Sequence, residues 1–161
     1  MTIEFFQLLT LIITANGAPV LARLLFGDKL NTAVDLGAVW TDNHPLFGAS
    51  KTWRGIAAAL LATAMLALLL GYSAQIGIQI AAYAIIGDLM SSFIKRRFAM
   101  PVSTAAVLLD QVPESLFPAL LMMTVFRLHP VSIIWLVIIF TIVDLVVTYF
   151  LCRWRLLKRI D

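Results

Sequence analysis

The sequence predicts an all-α integral membrane protein of about five transmembrane helices, N-terminus out and C-terminus in, with a long cytoplasmic loop between helices 1 and 2. Three observations carry that prediction. Of 161 residues, 61% are hydrophobic and only 13% are charged, against roughly 45–50% and 25% in soluble domains; mean hydropathy is +0.96. A soluble domain this small leaves too much surface in water to hide that much apolar area. The apolar residues also fall in runs of about 20, the length that crosses the hydrocarbon layer. Finally, when those runs are threaded through a membrane, eleven of the twelve Lys and Arg residues lie on one side, as the positive-inside rule requires.

The first span covers Phe5 to Leu25, with Asn16-Gly17 and Pro19 within it and Arg23 near its end. It does not read as a cleavable signal peptide, which opens with positive charge; here Glu4 comes first and Arg23 lies near the end of the apolar run. Asn16-Gly17 reads equally well as the cap of a broken helix lining a site and as an interhelical amide. The second span, Gly55 to Tyr72, carries no charge. The third covers Gln75 to Ile94, the fourth Ser103 to Phe126, and the fifth Val131 to Leu151. Pro113 and Pro118 fall in the fourth, where proline kinks a helix. No internal repeat or low-complexity tract appears, and the chain reads as one domain, 1–161.

With this threading the cytoplasmic segments are Arg23–Arg54, Lys95–Ser103 and Arg153–Asp161, and only Arg127 lies outside. The pI near 9.4 thus reflects residues that orient the chain and meet anionic head groups, and nucleic-acid binding is not expected. The one cysteine, Cys152, excludes an internal disulfide and a cysteine zinc site. His44 and His129 stand alone, without ligand spacing. The loop from Phe26 to Ser50 mixes both charge signs with Trp40, Leu46 and Phe47; long loops of that kind in compact proteins are usually functional. The functional weight therefore falls on the cytoplasmic side.

Ionisable residues inside spans are costly and point to function. Four qualify: Asp88, Asp110, Glu114 and Asp144. Asp88, Ser91 or Ser92, and Lys95 follow helical spacing and share one stripe. An acid, a hydroxyl and a cation in a row suit a metal followed by phosphate oxygens. Asp88 and Asp110, on adjacent helices, could hold Mg²⁺, which takes oxygen ligands and keeps waters or substrate phosphates in its remaining positions. Asp144 reads mainly as a packing or hydrogen-bonding acid.

A second motif, Leu46-Phe47-Gly48-Ala49-Ser50-Lys51-Thr52-Trp53-Arg54-Gly55, opens the second span. Free backbone N–H groups and the helix dipole favour anions there. Lys51, Thr52 and Arg54 add donors, with Ser50 available as the cap. It is not a P-loop: the first glycine of that spacing is missing and no βα unit surrounds it. Lipid-facing anchorage is the plainer alternative for these charges.

Taken together, Asn16-Gly17-x-Pro19, Asp35-x-Gly37, Leu46-Phe47-Gly48-x-Ser50-Lys51-Thr52-Trp53-Arg54-Gly55, Gly87-Asp88-Leu89-x-x-Ser92-Phe93-Ile94-Lys95-Arg96-Arg97 and Asp110-Gln111 resemble the CDP-archaeol synthases. Those enzymes are a branch of the membrane cytidylyltransferases that includes CDP-diacylglycerol synthase. The resemblance implies transfer of CMP from CTP to a membrane lipid phosphate of archaetidic or phosphatidic acid type, with Mg²⁺ as cofactor and release of pyrophosphate, for phospholipid synthesis. It implies Asp88 and Asp110 as metal ligands, and Lys51, Arg54 and Lys95 at the triphosphate. Arg96 and Arg97 would draw in the lipid phosphate. Asn16, Asp35, Thr52, Ser92 and Gln111 would contact phosphate, base or metal. The partners implied are CTP, the lipid phosphate and the bilayer itself, in the cytoplasmic membrane with the site facing the cytosol. A homodimer is compatible with the sequence. The alternative from another class is a small ion- or proton-coupled transporter using Asp88, Asp110 and Asp144 as a relay.

Overall fold

A computed structural model describes residues 2–101, 106 and 108–153. Among them are five helices: α1 (Ile3–Phe26), α2 (Trp53–Leu69), α3 (Ala74–Arg97), α4 (Gln111–Leu121) and α5 (Pro130–Arg153). Helices α1, α3 and α5, each of 24 residues, are long and apolar enough to cross a membrane; α2 is a shorter apolar helix. Ser103, the expected start of the fourth span, lies outside the described residues, as do Arg155, Lys158 and Arg159.

The expected order of helices is observed, but the fourth is much shorter than its apolar run. It has 11 residues, about 16 Å at 1.5 Å per residue. Leu108 with φ 73° marks a turn before it, and residues 122–127 turn after it. Met122 and Phe126 are nonetheless buried. Hydropathy reports burial in an apolar medium, and here that burial is achieved by turns instead of by helix. Pro113 falls in the first turn of α4, where a missing N–H costs nothing, and Pro118 is buried further along.

Two kinds of packing hold the bundle. At the end where α1 begins, large side chains interlock: Phe5, Leu8 and Ile12 of α1, Ile80 of α3, and Leu136 and Phe140 of α5. Toward the other end, Ala15, Ala59, Ala81 and Ala84 bring α1, α2 and α3 into close contact. Apolar area gives no driving force between helices in lipid, so small residues that let backbones approach supply the van der Waals contact. The closest approaches are at glycines. A Cβ on Gly77 would lie 2.6 Å from Ala64 Cα, and one on Gly87 would lie 2.4 Å from the Pro113 carbonyl oxygen. Large residues at one end and small ones in the middle leave room at the polar end, where α1 and α3 finish and α2 and α4 begin.

The chain between α1 and α2 is folded, as its mixture of charge and aromatics leads one to expect. Asp35 is its centre. One carboxylate oxygen accepts the N–H of Gly37 (3.1 Å), and the other accepts those of Phe47 (3.0 Å) and Gly48 (2.8 Å). Burial works against the charge on Asp35, but the Gly48, Phe47 and Gly37 amides outweigh it and hold the carboxyl below its ordinary range. The loop docks on the end of α3. Trp40 packs edge-on against Phe93 at 5.7 Å. Arg97 lies over Phe93, pairs with Asp42 at 2.6 Å and donates to the carbonyl oxygen of Pro45 at 2.7 Å.

Candidate active site

The polar end of the bundle encloses a cavity of about 540 Å³, to which all five helices and the α1–α2 loop contribute. From α1, Asn16, Pro19, Val20 and Arg23 face it, following helical spacing. α1 runs unbroken through Asn16-Gly17, and the Asn16 amide donates to the Ile12 carbonyl oxygen at 3.0 Å. Neither earlier expectation for Asn16 describes this: the residue is an amide tied to its own helix, on the cavity wall.

Lys51, Thr52 and Arg54 bring the start of α2 to the cavity. Thr52, not Ser50, is the N-cap: its hydroxyl accepts the Gly55 N–H at 3.2 Å. Lys51, just before the cap, reaches across to α3, where its ammonium meets Asp88 Oδ1 at 2.5 Å and Oδ2 at 2.7 Å. Arg54 turns to the loop instead. Its Nη1 donates to the carbonyl oxygens of Gly27 (2.8 Å) and Lys29 (2.5 Å), so this side chain ties the end of α1 to the start of α2 while lining the cavity.

α3 presents Asp88, Ser92, Lys95 and Arg96. Lys95 is only 6% exposed, and its ammonium lies 2.7 Å from Asp110 Oδ1. Arg96, equally buried, donates to the Pro101 carbonyl oxygen at 2.9 Å. The close contact of α3 with α4 at Gly87 brings Glu114 alongside this stripe, and Glu114 and Asp144 complete the acidic wall.

Ten of the twelve residues singled out in the sequence therefore converge on one cavity: Asn16, Lys51, Thr52, Arg54, Asp88, Ser92, Lys95, Arg96, Asp110 and Gln111. Asp35 and Arg97 do not line it. Their hydrogen bonds, from both Asp35 carboxylate oxygens and both Arg97 terminal nitrogens, go to the loop. Gln111 lines the cavity, but both ends of its amide are engaged, with Leu108 N–H and with Asp144. Arg23, Asp28 and Asn31 also line the cavity and were read from sequence only as loop and topology residues. Arg23 was within reach of the sequence, since it lies seven residues after Asn16, on the same helical face.

The cavity walls carry five basic side chains (Arg23, Lys51, Arg54, Lys95, Arg96) and five acidic ones (Asp28, Asp88, Asp110, Glu114, Asp144). Two lysines are held in ion pairs with two aspartates. Such a set can exchange partners. A divalent cation would take the carboxylates, and a polyanion would take the ammonium groups. Hard carboxylate oxygens from two helices suit Mg²⁺. Among the described residues no three His, Cys, Asp or Glu side chains group to form a protein-only metal site.

The family model described as CarS-like, CDP-archaeol synthase, matches residues 2–158. A CDP-archaeol synthase of Pyrobaculum calidifontis is 32% identical over 168 aligned positions, covering 96% of this chain and 97% of that one. Another, from Pyrococcus furiosus, is 36% identical over 107 positions, 60% of each chain. The match likewise spans 60% of a CDP-archaeol synthase of Hyperthermus butylicus. A solved structure, described as an intramembrane enzyme for archaeal membrane lipid biosynthesis, superposes with a TM-score of 0.72 and 27% identity, over 89% of this chain and 91% of that one.

Proposed function

The chain belongs to the CDP-archaeol synthase family, and from that premise we propose that it transfers CMP from CTP to a membrane lipid phosphate, releasing pyrophosphate. The observation that carries the reading is the pair of lysine–aspartate contacts, Lys51–Asp88 and Lys95–Asp110, facing one cavity from three chain segments.

In the reaction an oxygen of the lipid phosphate attacks the α-phosphorus of CTP. A new P–O bond forms, the bond to the β-phosphate oxygen breaks, and its electron pair leaves with pyrophosphate. A phosphate monoester has a second pKa of about 6, so at neutral pH the attacking oxygen needs no general base. What remains for the protein is to align attacker and leaving group and to offset charge. Lys51, before the start of α2, and Lys95, at the end of α3, bind the triphosphate and the departing pyrophosphate. The start of α2 adds its dipole to the same anion. Arg96, which is buried, and Arg23, which is exposed, hold the lipid phosphate. Asp88 and Asp110 would hold Mg²⁺, which would supply positive charge to offset the charge developing on the phosphates. Balanced wall charges leave the cavity able to accept cation and nucleotide together.

The transporter alternative finds no support: the acids it would use as a relay are paired with lysines and an amide around one cavity. The site faces the cytosol in the orientation set by the basic residues, where CTP is available.

The testing experiment uses detergent-solubilised protein with CTP and Mg²⁺ and two lipid phosphates, one of ether-linked archaetidic type and one of ester-linked phosphatidic type. Nucleotide should raise the unfolding midpoint, because a ligand bound only by the folded state stabilises it, and label from CTP should appear in the ether lipid. No thermal response to CTP together with no product from either lipid would overturn the reading.

A further inference from the structure

We propose that Asp144 is a positioning residue: through Gln111 it fixes the turn that aims Asp110 into the cavity. The proposal rests on the cytidylyltransferase reading above, because it names what holds one of that site's carboxylates in place.

Gln111 opens α4 and is 7% exposed. Its Nε2 donates to Asp144 Oδ2 at 3.0 Å, and its Oε1 accepts the Leu108 N–H at 3.0 Å. The two partners admit only this amide orientation. A flipped amide would set oxygen against the Asp144 carboxylate and N–H against N–H at Leu108. Leu108 has φ 73°, a left-handed conformation that a leucine keeps only when held there. Two residues later Asp110 Oδ2 accepts the Ala106 N–H at 3.1 Å, while Oδ1 lies 2.7 Å from the Lys95 ammonium. The direction of Asp110 thus depends on a turn whose central N–H is held by Gln111, and Gln111 in turn is held by Asp144.

Asp144 is well placed to be the fixed point. It continues the inward stripe of α5 made by Ile133, Leu136 and Phe140. Those three side chains lie in the main core, so the rotation of α5 about its axis is set by packing far from the cavity. Gln111 lines the cavity while its amide bridges Leu108 and Asp144.

The test is a polarity swap read as kcat and KM separately. Gln111→Glu alone sets a carboxylate against Asp144 and should lower kcat/KM for Mg·CTP about tenfold or more, the effect of about 1.4 kcal/mol. Adding Asp144→Asn restores donor to acceptor, with the remaining carboxylate oxygen still taking the Leu108 N–H. The double variant should recover to within about threefold of the parent, since coupled neighbours depart from additivity. Asp144→Asn alone should lower kcat about two- to fivefold with the lipid KM unchanged. A double variant no better than Gln111→Glu would overturn the proposal; direct contact of Asp144 with substrate, or passive packing, gives that result.

If Gln111→Glu does not fold, Gln111→Leu, Asp144→Leu and their combination replace it. The double should then be no worse than the worse single, and additive losses would overturn the proposal. Amide exchange at Leu108 separates this linkage from the nucleotide chemistry. Asp144→Leu should accelerate that exchange whether or not CTP is turned over, and unchanged exchange would contradict the linkage itself.

Discussion

Lys51 and Asp88 are 37 positions apart in sequence and 2.5 Å apart in space, with the lysine just before α2 and the aspartate in the second half of α3. This contact joins the two motifs that the sequence offered separately, one for an anion and one for a cation. Each partner stands where the other's ligand would bind. On the proposed function, loading a cation on Asp88 would free Lys51 for phosphate, and the two ligands should bind with positive coupling.

Asp88→Asn keeps the volume and removes the charge. It should abolish turnover while the protein still inserts and remains monodisperse. Lys51→Ala should weaken CTP binding and slow the chemical step by about ten- to a hundredfold, since a lost contact to a charged group costs about 1.5–3 kcal/mol. Calorimetric titration with CTP should show that Mg²⁺ tightens nucleotide binding to the parent and that Asp88→Asn removes most of that dependence.

Arg54 predicts a different pattern, because its Nη1 is engaged by the Gly27 and Lys29 carbonyl oxygens. Arg54→Ala leaves both acceptors without that donor and releases the end of α1 from the start of α2. The expected result is a lower unfolding midpoint together with a raised KM for CTP. Lys51→Ala, by contrast, should raise KM with little change in midpoint. Melting curves for both variants, beside their kinetics, check this division.

Asp35 should behave as a loop organiser and not as a ligand. Asp35→Ala strands the N–H groups of Gly37, Phe47 and Gly48, at about 1–3 kcal/mol for a buried unpaired donor. The Asp35 carboxyl sits below its ordinary range in the folded protein. Its stabilisation is therefore complete above the unfolded pKa of about 3.9 and is lost as pH falls through the lower folded value. Stability of the parent should drop on acidification below about pH 4, and Asp35→Asn should flatten part of that limb. Proteolysis within the 27–51 loop, followed against pH, reads it directly.

Gly87 sits where α3 meets α4, with a Cβ there 2.4 Å from the Pro113 carbonyl oxygen and 2.7 Å from the Glu114 nitrogen. Backbone atoms cannot yield as a side-chain tip can. Gly87→Ala should force α4 outward, shift Glu114 and Asp110 relative to Asp88, and reduce activity more than it reduces insertion. Gly17→Ala, whose Cβ meets nothing within 4 Å, is the control and should be nearly silent in both measurements.

How much of this could be read from the sequence depends on which physical signal each residue carries. The three long helices followed from runs of apolar residues, and Asp88, Ser92 and Lys95 followed from helical spacing along α3. Asp110 stood out as an acid inside an apolar run. The sequence did not show that Asp35 and Arg97 serve the loop, because their partners are backbone atoms placed by a fold with no regular period. Nor did it show the short α4. A window average over 103–126 sees apolar character and is blind to the left-handed turn at Leu108. Arg54 and Gln111 were correctly placed at the cavity, but their partners, carbonyls and an amide N–H, carry no signature in residue type.

The most direct measurement follows two labels on CTP, one at the α-phosphate and one at the γ-phosphate, in membranes carrying the parent or Asp88→Asn protein and an archaetidic-type lipid phosphate. Attack at the α-phosphorus places the α-label in the lipid fraction and the γ-label in pyrophosphate. The parent should show that split and Asp88→Asn should show neither product. The γ-label in the lipid, or undiminished α-label transfer by Asp88→Asn, would contradict a cytidylyl transfer carried out in the Lys51–Asp88 cavity.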